Sequence, residues 1–314
     1  MNTVTLGDSS LQSSRLAYGC WRIAGTWNPA DVDVTRVEAG RQAVRAAYEA
    51  GYTLFDHADI YCNGVAEQIF GEVLRDTPGM RERVLVATKC GIRRKGEPHG
   101  DSPYRYDASA AHIIASCEAS LARLGVETID LYQLHRPDYL IDPGEVADAF
   151  SELKKAGKVR EFGLSNTRPS LVDALQEACP MPLIVNQVEI SLACLGPFTD
   201  GTLDQCLGCG MTPLAWSPLG GGSLGTSHKA QEAAPHHPVM FKLIAALEVI
   251  AEARGLPRAT IALAWLLRHP AGIVPIVGST NPAHIVAATE AENITLTRDE
   301  WYSLLEAARG DRLP

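Results

Sequence analysis

The sequence has no uninterrupted apolar run close to the ~20 residues that a helix needs to cross a bilayer. It also lacks a basic stripe, and its 28 Lys and Arg residues are outnumbered by 37 Asp and Glu, for a formal net charge of −9 at pH 7. Because nucleic acids and anionic membranes are bound through clustered Lys and Arg, neither is an expected partner. The opening residues, MNTVTLGDSSLQ, lack the basic and apolar blocks of a signal peptide. We therefore expect a cytoplasmic protein that acts on a small molecule.

The eight cysteines do not form a disulfide framework of the kind found in short secreted domains. Cys206 and Cys209 make a single CxxC, with no second pair and no His at ligand spacing. We predict that this motif marks the end of a helix, and we expect no metal site.

Short apolar runs that are typical of β-strands alternate with segments of helical periodicity along the whole chain. Eight such runs occupy residues 16–21, 52–58, 83–90, 129–135, 159–166, 183–190, 211–219 and 272–279. One intervening helix has clear boundaries, because Asp142 can cap it, Pro143 suits its first position and Gly157 suits a left-handed exit. Two further helices, at 239–254 and 297–309, are surplus to the alternation.

Strands that alternate with helices pair in parallel through right-handed crossovers, and eight of them favour closure into a barrel. We predict an α/β fold with one domain over residues 1–314, a (β/α)8 TIM barrel with an N-terminal β-hairpin and two extra helices. A doubly wound open sheet is the alternative. Against it, no strand leads into a G-x-G-x-x-G helix start, and the glycines at 220–222 lie late with the wrong spacing.

Polar side chains follow the predicted strands at their C-terminal ends, where such barrels carry their catalytic groups. In chain order these positions hold Trp21 and Arg22, Asp56 and Tyr61, Lys89, His135 and Arg136, Ser165 and Asn166, Gln187 and Glu189, Trp216 and Ser217, and Gly278 and Ser279. Any one of them alone has an ordinary structural explanation, such as a snorkelling Lys or a structural His. An acid, a phenol, an amine and an imidazole on one rim together predict proton transfer.

Asp56, Tyr61, Lys89 and His135 suit the protonation of a substrate oxygen. A free tyrosine has a pKa of about 10, and lowering it to ~8 needs about 2.7 kcal/mol of phenolate stabilisation. A cation at ~4 Å supplies about 4 kcal/mol at an effective dielectric of 20. We therefore expect Lys89 to lower the pKa of Tyr61, Asp56 to keep Lys89 charged, and His135 to orient the oxygen. With no obvious nucleophile or metal, the site needs an electron source.

Ordered motifs over essentially the whole chain resemble those of the aldo-keto reductase superfamily. FDHADIY resembles its Asp-x-x-x-x-Tyr segment, TKCG its catalytic Lys segment and LYQLHRPD its catalytic His segment. FGLSN, NQVE, AWSPLGGG and PIVGSTNPAHI resemble its nicotinamide-cofactor segments. DHADIY, LHRPD and DPGEVADAF are similar to a bacterial subgroup of oxidoreductases.

The resemblance implies hydride transfer between NAD(P)H and a small-molecule carbonyl, with Tyr61 as general acid. It also implies cofactor contacts from Trp21, Ser165, Asn166, Gln187, Trp216, Ser217, Leu219, Gly221, Gly278, Ser279, Thr280 and His284. By this resemblance Ser165, Asn166 and Gln187 hold the carboxamide and the indole of Trp216 stacks on the nicotinamide. Ser217, Leu219 and Gly221 line the pyrophosphate.

NADPH is the expected cofactor, with NADH as an alternative. The family usually grips the 2′-phosphate with Lys or Arg after the glycine of this last segment, because a dianion needs charged donors. This sequence offers Ser279, Thr280, Asn281 and His284. We therefore expect weak discrimination between the two cofactors.

Other functions stay open at this point. A cofactor-binding redox sensor or regulatory subunit with incidental turnover is the main alternative. A phosphate-ester isomerase is disfavoured because Tyr and Lys stand where a carboxylate base would be expected. Cys62 and Cys90 follow Tyr61 and Lys89, and a nearby cation would lower a thiol pKa, so redox sensitivity is also open. The oligomeric state is open, with a monomer slightly favoured.

The loop 91–107 carries three cations, Arg93, Arg94 and Lys95. We expect it to shape the mouth of the site and to attract acidic substrates, with ordinary solvated loop charges as the alternative.

Overall fold

Twelve short strands are found in the part of the chain that the structure, a computed structural model, describes, residues 1–225 and 238–313. They are β1 (Thr3–Thr5), β2 (Gln12–Ser14), β3 (Ala17–Gly19), β4 (Leu54–Asp56), β5 (Leu85–Cys90), β6 (Ile92–Arg93), β7 (Arg105–Tyr106), β8 (Ile129–Leu134), β9 (Val159–Ser165), β10 (Leu183–Glu189), β11 (Thr212–Trp216) and β12 (Val274–Val277). Eight of these, β3 to β5 and β8 to β12, form a closed barrel of parallel strands in chain order, with β12 paired to β3. The predicted barrel is confirmed, and each of its strands lies within one of the eight apolar runs.

The helices follow the predicted alternation. They are α1 (Val34–Glu49), α2 (Val65–Asp76), α3 (Ala110–Leu124), α4 (Pro143–Lys155), α5 (Pro169–Ala178), α6 (Thr202–Cys209), α7 (Pro238–Arg254), α8 (Arg258–Leu267), α9 (Pro282–Ala288) and α10 (Arg298–Arg309). The two surplus helices are confirmed as α7 and α10. They pack against each other, and the guanidinium of Arg254 donates to both carboxylate oxygens of Glu300.

Local sequence signals set several of these boundaries. The Asp142 side chain accepts hydrogen bonds from the first turn of α4, which opens with Pro143, and Gly157 after it has a φ of +72°. The CxxC motif ends α6 as expected, and Gly210 follows with a φ of +64°. Glycine tolerates this left-handed backbone because it has no Cβ.

The N-terminal β-hairpin closes the end of the barrel at which the parallel strands begin. Strands β1 and β2 pair antiparallel, and Leu6 and Leu11 from the turn between them are fully buried. They pack with inward-facing apolar residues of the barrel strands, including Leu54, Leu131 and Leu214. Because side chains alternate along a strand, the next inward positions towards the C-terminal ends lie above this apolar layer. Those positions carry the polar side chains of the candidate site.

The segment 91–107 contains more regular structure than the expected loop, since β6 and β7 pair antiparallel within it. Residues 1–225 and 238–313 include no helix that is both long and apolar enough to cross a membrane. That residues 1–314 form a single domain stays a prediction.

Candidate active site

Asp56, Lys89 and Tyr61 meet at the C-terminal end of the barrel. Asp56 ends β4, and Lys89 is the last but one residue of the neighbouring β5. The two residues are 3% and 0% exposed respectively. Nζ of Lys89 lies 2.8 Å from the Asp56 carboxylate, 2.6 Å from the backbone oxygen of His57 and 3.2 Å from the hydroxyl of Tyr61. The ammonium group is therefore buried, fully hydrogen-bonded and in contact with the phenol.

A tight turn after β4 carries Tyr61 to this position. Cys62 and Asn63 have positive φ angles of 46° and 57°, a left-handed conformation that non-glycine residues rarely adopt. Two other non-glycine residues with positive φ, Asn166 and Ser217, also follow barrel strands at this end. Strained backbone of this kind clusters at functional sites, where the surrounding structure holds it in place.

The pKa of Lys89 is raised above its ordinary value. Burial lowers it, but Asp56 and Tyr61 favour the charged form more strongly. The pKa of Tyr61 is also raised, because burial and the charge of Asp56 outweigh the lowering effect of Lys89. The expectation of a tyrosine pKa lowered towards neutrality is therefore wrong. Both groups carry their protons at neutral pH.

His135 lies beside Tyr61 as an electrically neutral imidazole. Its ring stands edge-on to the tyrosine ring, with centroids 5.9 Å apart, and its backbone N–H donates to the oxygen of Cys90. Burial, with help from Lys89 and Arg136, holds the pKa of His135 well below its usual range. A neutral imidazole keeps one ring N–H, and this group can donate a hydrogen bond to a carbonyl oxygen.

A chain of hydrogen bonds joins the catalytic candidates to the cofactor candidates of β9 to β11. Nε2 of Gln187 donates to Asp56 at 2.7 Å, and Oγ of Ser165 donates to the backbone oxygen of Gln187 at 2.8 Å. Nδ2 of Asn166 donates to Ser165, and Nε1 of Trp216 donates to Oδ1 of Asn166 at 3.0 Å. The indole plane is thereby fixed on the same rim as Lys89.

The predicted pyrophosphate segment follows β11 as a sharp turn. Gly221 has a φ of +67°, its backbone N–H has no acceptor among the described residues, and a Cβ placed there would meet nothing within 4 Å. The turn is held by the N–H of Gly220, which donates to the oxygen of Ser217. Leu219 is half-buried beside it. Exposed amides in such a turn suit an anion.

The remaining predicted cofactor residues lie where β12 meets β3. Nε1 of Trp21 is 3.0 Å from the place where a Cβ on Gly278 would stand, so the glycine makes room for the indole. The backbone oxygen of Ser279 accepts from the hydroxyl of Tyr18, and Thr280 and His284 are exposed. All twelve cofactor candidates thus lie at the C-terminal side of the barrel, but their contacts with a cofactor stay a prediction.

The cations of segment 91–107 are mostly engaged within the protein. Nε of Arg93 pairs with Asp107 at 2.9 Å, and the guanidinium of Arg94 donates to the backbone oxygen of Ile60 at 3.0 Å. Arg94 thereby braces the turn that carries Tyr61. Attraction of acidic substrates by this segment stays a prediction. Its exposed cation Lys95 has no ion-pair partner in the part of the chain that the structure describes.

Redox sensitivity of Cys62 and Cys90 was left open because a nearby cation would lower a thiol pKa, and the structure does not favour it because neither pKa is lowered. Both side chains are fully buried, and burial raises the pKa of Cys62 and, more strongly, that of Cys90. Arg94 lowers the pKa of Cys62, but by less than burial raises it. Buried neutral thiols are poor nucleophiles.

Three residues at the mouth were given no role by sequence reasoning. Arg136 directly follows His135 and Glu189 comes two residues after Gln187, positions that could have drawn attention to them. Trp27 lies in the segment after β3 and is 58% exposed, with its ring 6.4 Å from that of Tyr61. No sequence pattern distinguished it from a core aromatic residue.

Comparison with known proteins identifies the family of this chain. The family model described as the aldo/keto reductase family matches residues 15–309, nearly the whole chain. The chain belongs to the aldo/keto reductase family. The resemblance drawn from the motifs is therefore confirmed.

Relatives of this aldo/keto reductase include two bacterial proteins that are named 6-dehydroglucose reductases. The 6-dehydroglucose reductase of Novosphingobium aromaticivorans is 41% identical to it over 316 aligned residues, which cover 98% of this chain and 96% of that protein. The 6-dehydroglucose reductase of Agrobacterium fabrum is 39% identical, with 99% of each chain covered. The crystal structure of the thermostable aldo-keto reductase Tm1743 in complex with the inhibitor epalrestat matches with a TM-score of 0.81 at 26% identity, covering 98% of this chain and 100% of that one.

Proposed function

We propose that this aldo/keto reductase reduces aldehyde or ketone carbonyls to alcohols with NAD(P)H, and that Tyr61 is the general acid. The observation that carries the proposal is the contact of Tyr61 with a charged Lys89, 3.2 Å from the hydroxyl and itself held by Asp56. This arrangement stabilises a phenolate, which forms when the tyrosine gives up its proton.

The raised pKa of Tyr61 is compatible with this role. A phenol that keeps its proton at neutral pH is ready to donate it, and an alkoxide developing on the substrate is a stronger base than a phenolate. Lys89 then neutralises the charge left on the tyrosine oxygen. The neutral His135 orients the carbonyl through a ring N–H beside the phenol.

The residues on the rim fit a nicotinamide dinucleotide. Trp216 offers a half-buried indole face whose plane is fixed by Asn166. Gly221, in an open turn, offers a backbone amide that has no acceptor among residues 1–225 and 238–313. When bound, NAD(P)H supplies the hydride. The side-chain amide nitrogens of Asn166 and Gln187 already donate hydrogen bonds within the protein. The carboxamide of a bound cofactor would therefore either donate to their side-chain oxygens or replace the present acceptors of these amide nitrogens.

For the cofactor itself we propose NADPH with weak discrimination against NADH. The stretch from Gly278 to Ala288 contains no Lys or Arg, and the Ser279 hydroxyl and Asn281 amide oxygen accept from backbone N–H groups at the start of α9. Fluorescence titration with each cofactor at several pH values should give dissociation constants within about tenfold of each other. A strong NADPH preference across that range would contradict the proposal.

The substrate class to test first is a sugar-derived aldehyde, because two relatives at 41% and 39% identity are named 6-dehydroglucose reductases. Oxidation of NADPH and NADH should be followed over a panel of aldehydes, ketones and sugars. Tyr61→Phe should abolish most turnover while cofactor binding is retained. Tyr302→Phe, an exposed tyrosine on α10, is the matched control.

Two results would contradict the proposal. If Tyr61→Phe reduced carbonyls as fast as the parent, Tyr61 would not be the acid. If the parent bound cofactor tightly but reduced no carbonyl of the panel, the alternative of a cofactor-binding sensor or regulatory subunit would be favoured.

A further inference from the structure

Arg136 and Glu189 are two half-buried charges of opposite sign on the C-terminal rim, and we call them the rim pair. Arg136 follows His135, and Glu189 ends β10 two residues after Gln187. Among residues 1–225 and 238–313, neither side chain has a hydrogen-bond or ion-pair partner, and they do not pair with each other. Charged groups that lose water without gaining a partner are costly, which makes unpaired ones at a rim candidates for ligand contact.

The rim pair lies on the part of the mouth that borders the predicted nicotinamide site. The guanidinium carbon of Arg136 is 5.8 Å from the centroid of the Trp216 ring. Glu189 is the register partner of Trp216 on the neighbouring strand. Arg136 therefore extends from β8 towards β11 over the intervening strands. Burial raises the pKa of the Glu189 carboxyl, and the charge of Arg136 lowers it by a smaller amount.

The chemistry of the rim pair selects among substrates. A guanidinium only donates hydrogen bonds and a carboxylate only accepts them, whereas a hydroxyl group does both. Adjacent hydroxyls on a substrate can accept from Arg136 and donate to Glu189. A carboxylate on the substrate would be attracted by Arg136 and repelled by Glu189. A plain alkyl chain would displace the water that solvates both charges and would offer neither of them a hydrogen bond in return.

Trp27 supplies an apolar surface on another side of the same mouth. Its ring is 58% exposed and lies 5.4 Å from that of Trp21 and 6.4 Å from that of Tyr61. A polyhydroxylated carbon chain has apolar C–H faces as well as hydroxyls, and burying such a face against an exposed indole is favourable.

We propose that the rim pair binds neighbouring hydroxyl groups of a polyhydroxylated carbonyl substrate and so determines specificity, which rests on the proposed reductase function. Arg136 and Glu189 contact the part of the substrate that does not react. The reacting carbonyl stays with Tyr61 and His135.

The test compares three four-carbon aldehydes with the purified protein and NADPH: erythrose with hydroxyls, butanal without them, and succinic semialdehyde with a carboxylate. We expect the parent to have the highest kcat/KM with erythrose. Glu189→Gln and Arg136→Met should each lower the ratio of erythrose to butanal kcat/KM by about 10- to 100-fold, as expected for losing a hydrogen bond to a charged group. The loss should appear mainly in KM for erythrose, and Arg136→Lys should recover part of it.

Matched controls come from α1, on the outside of the barrel. Arg45 is also half-buried without a partner among the described residues, and Glu49 is exposed. Arg45→Gln and Glu49→Gln should leave the erythrose to butanal ratio unchanged. Equal losses in these controls would mean a general effect of charge and would overturn the inference.

The remaining outcomes separate this inference from the function on which it rests. If the parent reduces butanal but shows no preference for erythrose, the rim-pair inference fails and the reductase proposal stands. A preference for succinic semialdehyde that increases in Glu189→Gln would show an anion site and would also overturn it. If no aldehyde is reduced, both proposals fail together.

Discussion

Replacing Lys89 with methionine should slow carbonyl reduction far more than it weakens cofactor binding. Nζ of Lys89 lies 3.2 Å from the Tyr61 hydroxyl. At an effective dielectric of about 20, a full negative charge at that distance would be stabilised by about 5 kcal/mol. With roughly half of the proton transferred in the transition state, the loss is about 2.6 kcal/mol. At 1.36 kcal/mol per tenfold, kcat should fall between about 100-fold and several thousand-fold.

The same substitution has a cost in stability that must be separated from the effect on rate. Asp56 is 3% exposed, and without Lys89 its carboxylate would lose its cation. Removing one partner of a buried ion pair typically costs about 3–5 kcal/mol of unfolding free energy. The double variant Asp56→Asn/Lys89→Met removes both charges and should recover much of the stability while leaving the rate low.

The assay is single-turnover oxidation of bound cofactor, followed by absorbance, with cofactor affinity measured separately by fluorescence. Lys154→Met is the control, because this lysine is 39% exposed and pairs with Glu161 on the outside of the barrel. A Lys89→Met protein that is folded, binds cofactor and reacts within about threefold of the parent would refute the electrostatic role of Lys89.

Two further predictions concern buried groups near the same turn. Burial and Glu67 raise the pKa of Asp59 to about 7, whereas an unfolded aspartate titrates near 4. The folded state therefore holds this proton more tightly, and stability should fall as pH rises from about 4 to about 7, by at most about 4 kcal/mol. Denaturant unfolding of Asp59→Asn at pH 5 and pH 8 should lack this decline, and an unchanged decline would contradict the assignment. Cys62 and Cys90 should stay protonated and inert, so mild peroxide should leave activity unchanged. A rapid loss of activity that is absent in the Cys62→Ala protein would contradict this.

The barrel was predictable from sequence because its signals are local. Each barrel strand is a short apolar run between turn or cap residues, and eight of them in series leave few alternatives to closure. The site was predictable for a related reason. Parallel strands bring their C-terminal ends to one rim, so Asp56 and Lys89 meet although 33 residues separate them.

Other features depend on packing that no local pattern encodes. The direction of the Tyr61 pKa shift is set by how deeply the phenol is buried, and burial exceeds the effect of the nearby cation. Burial likewise raises the pKa of the Cys62 thiol and that of the Cys90 thiol. The sequence also placed Arg136 and Glu189 on the rim, but only the structure indicates that each lacks a hydrogen-bond or ion-pair partner among the described residues.

In the segment FDHADIYCNG, residues 55–64, some residues contribute to the site through their side chains and others through their backbone. Strand alternation turns Asp56 into the barrel and His57 away from it, where its ring packs 4.5 Å from that of Phe70 and burial lowers its pKa to about 3. His57 contributes through its main chain, because its backbone oxygen accepts from Nζ of Lys89, and the N–H of Asp59 donates to the backbone oxygen of that same lysine. Lys89 is thus held at both ends by one short segment, so the position of the cation and that of the Tyr61 phenol are set together.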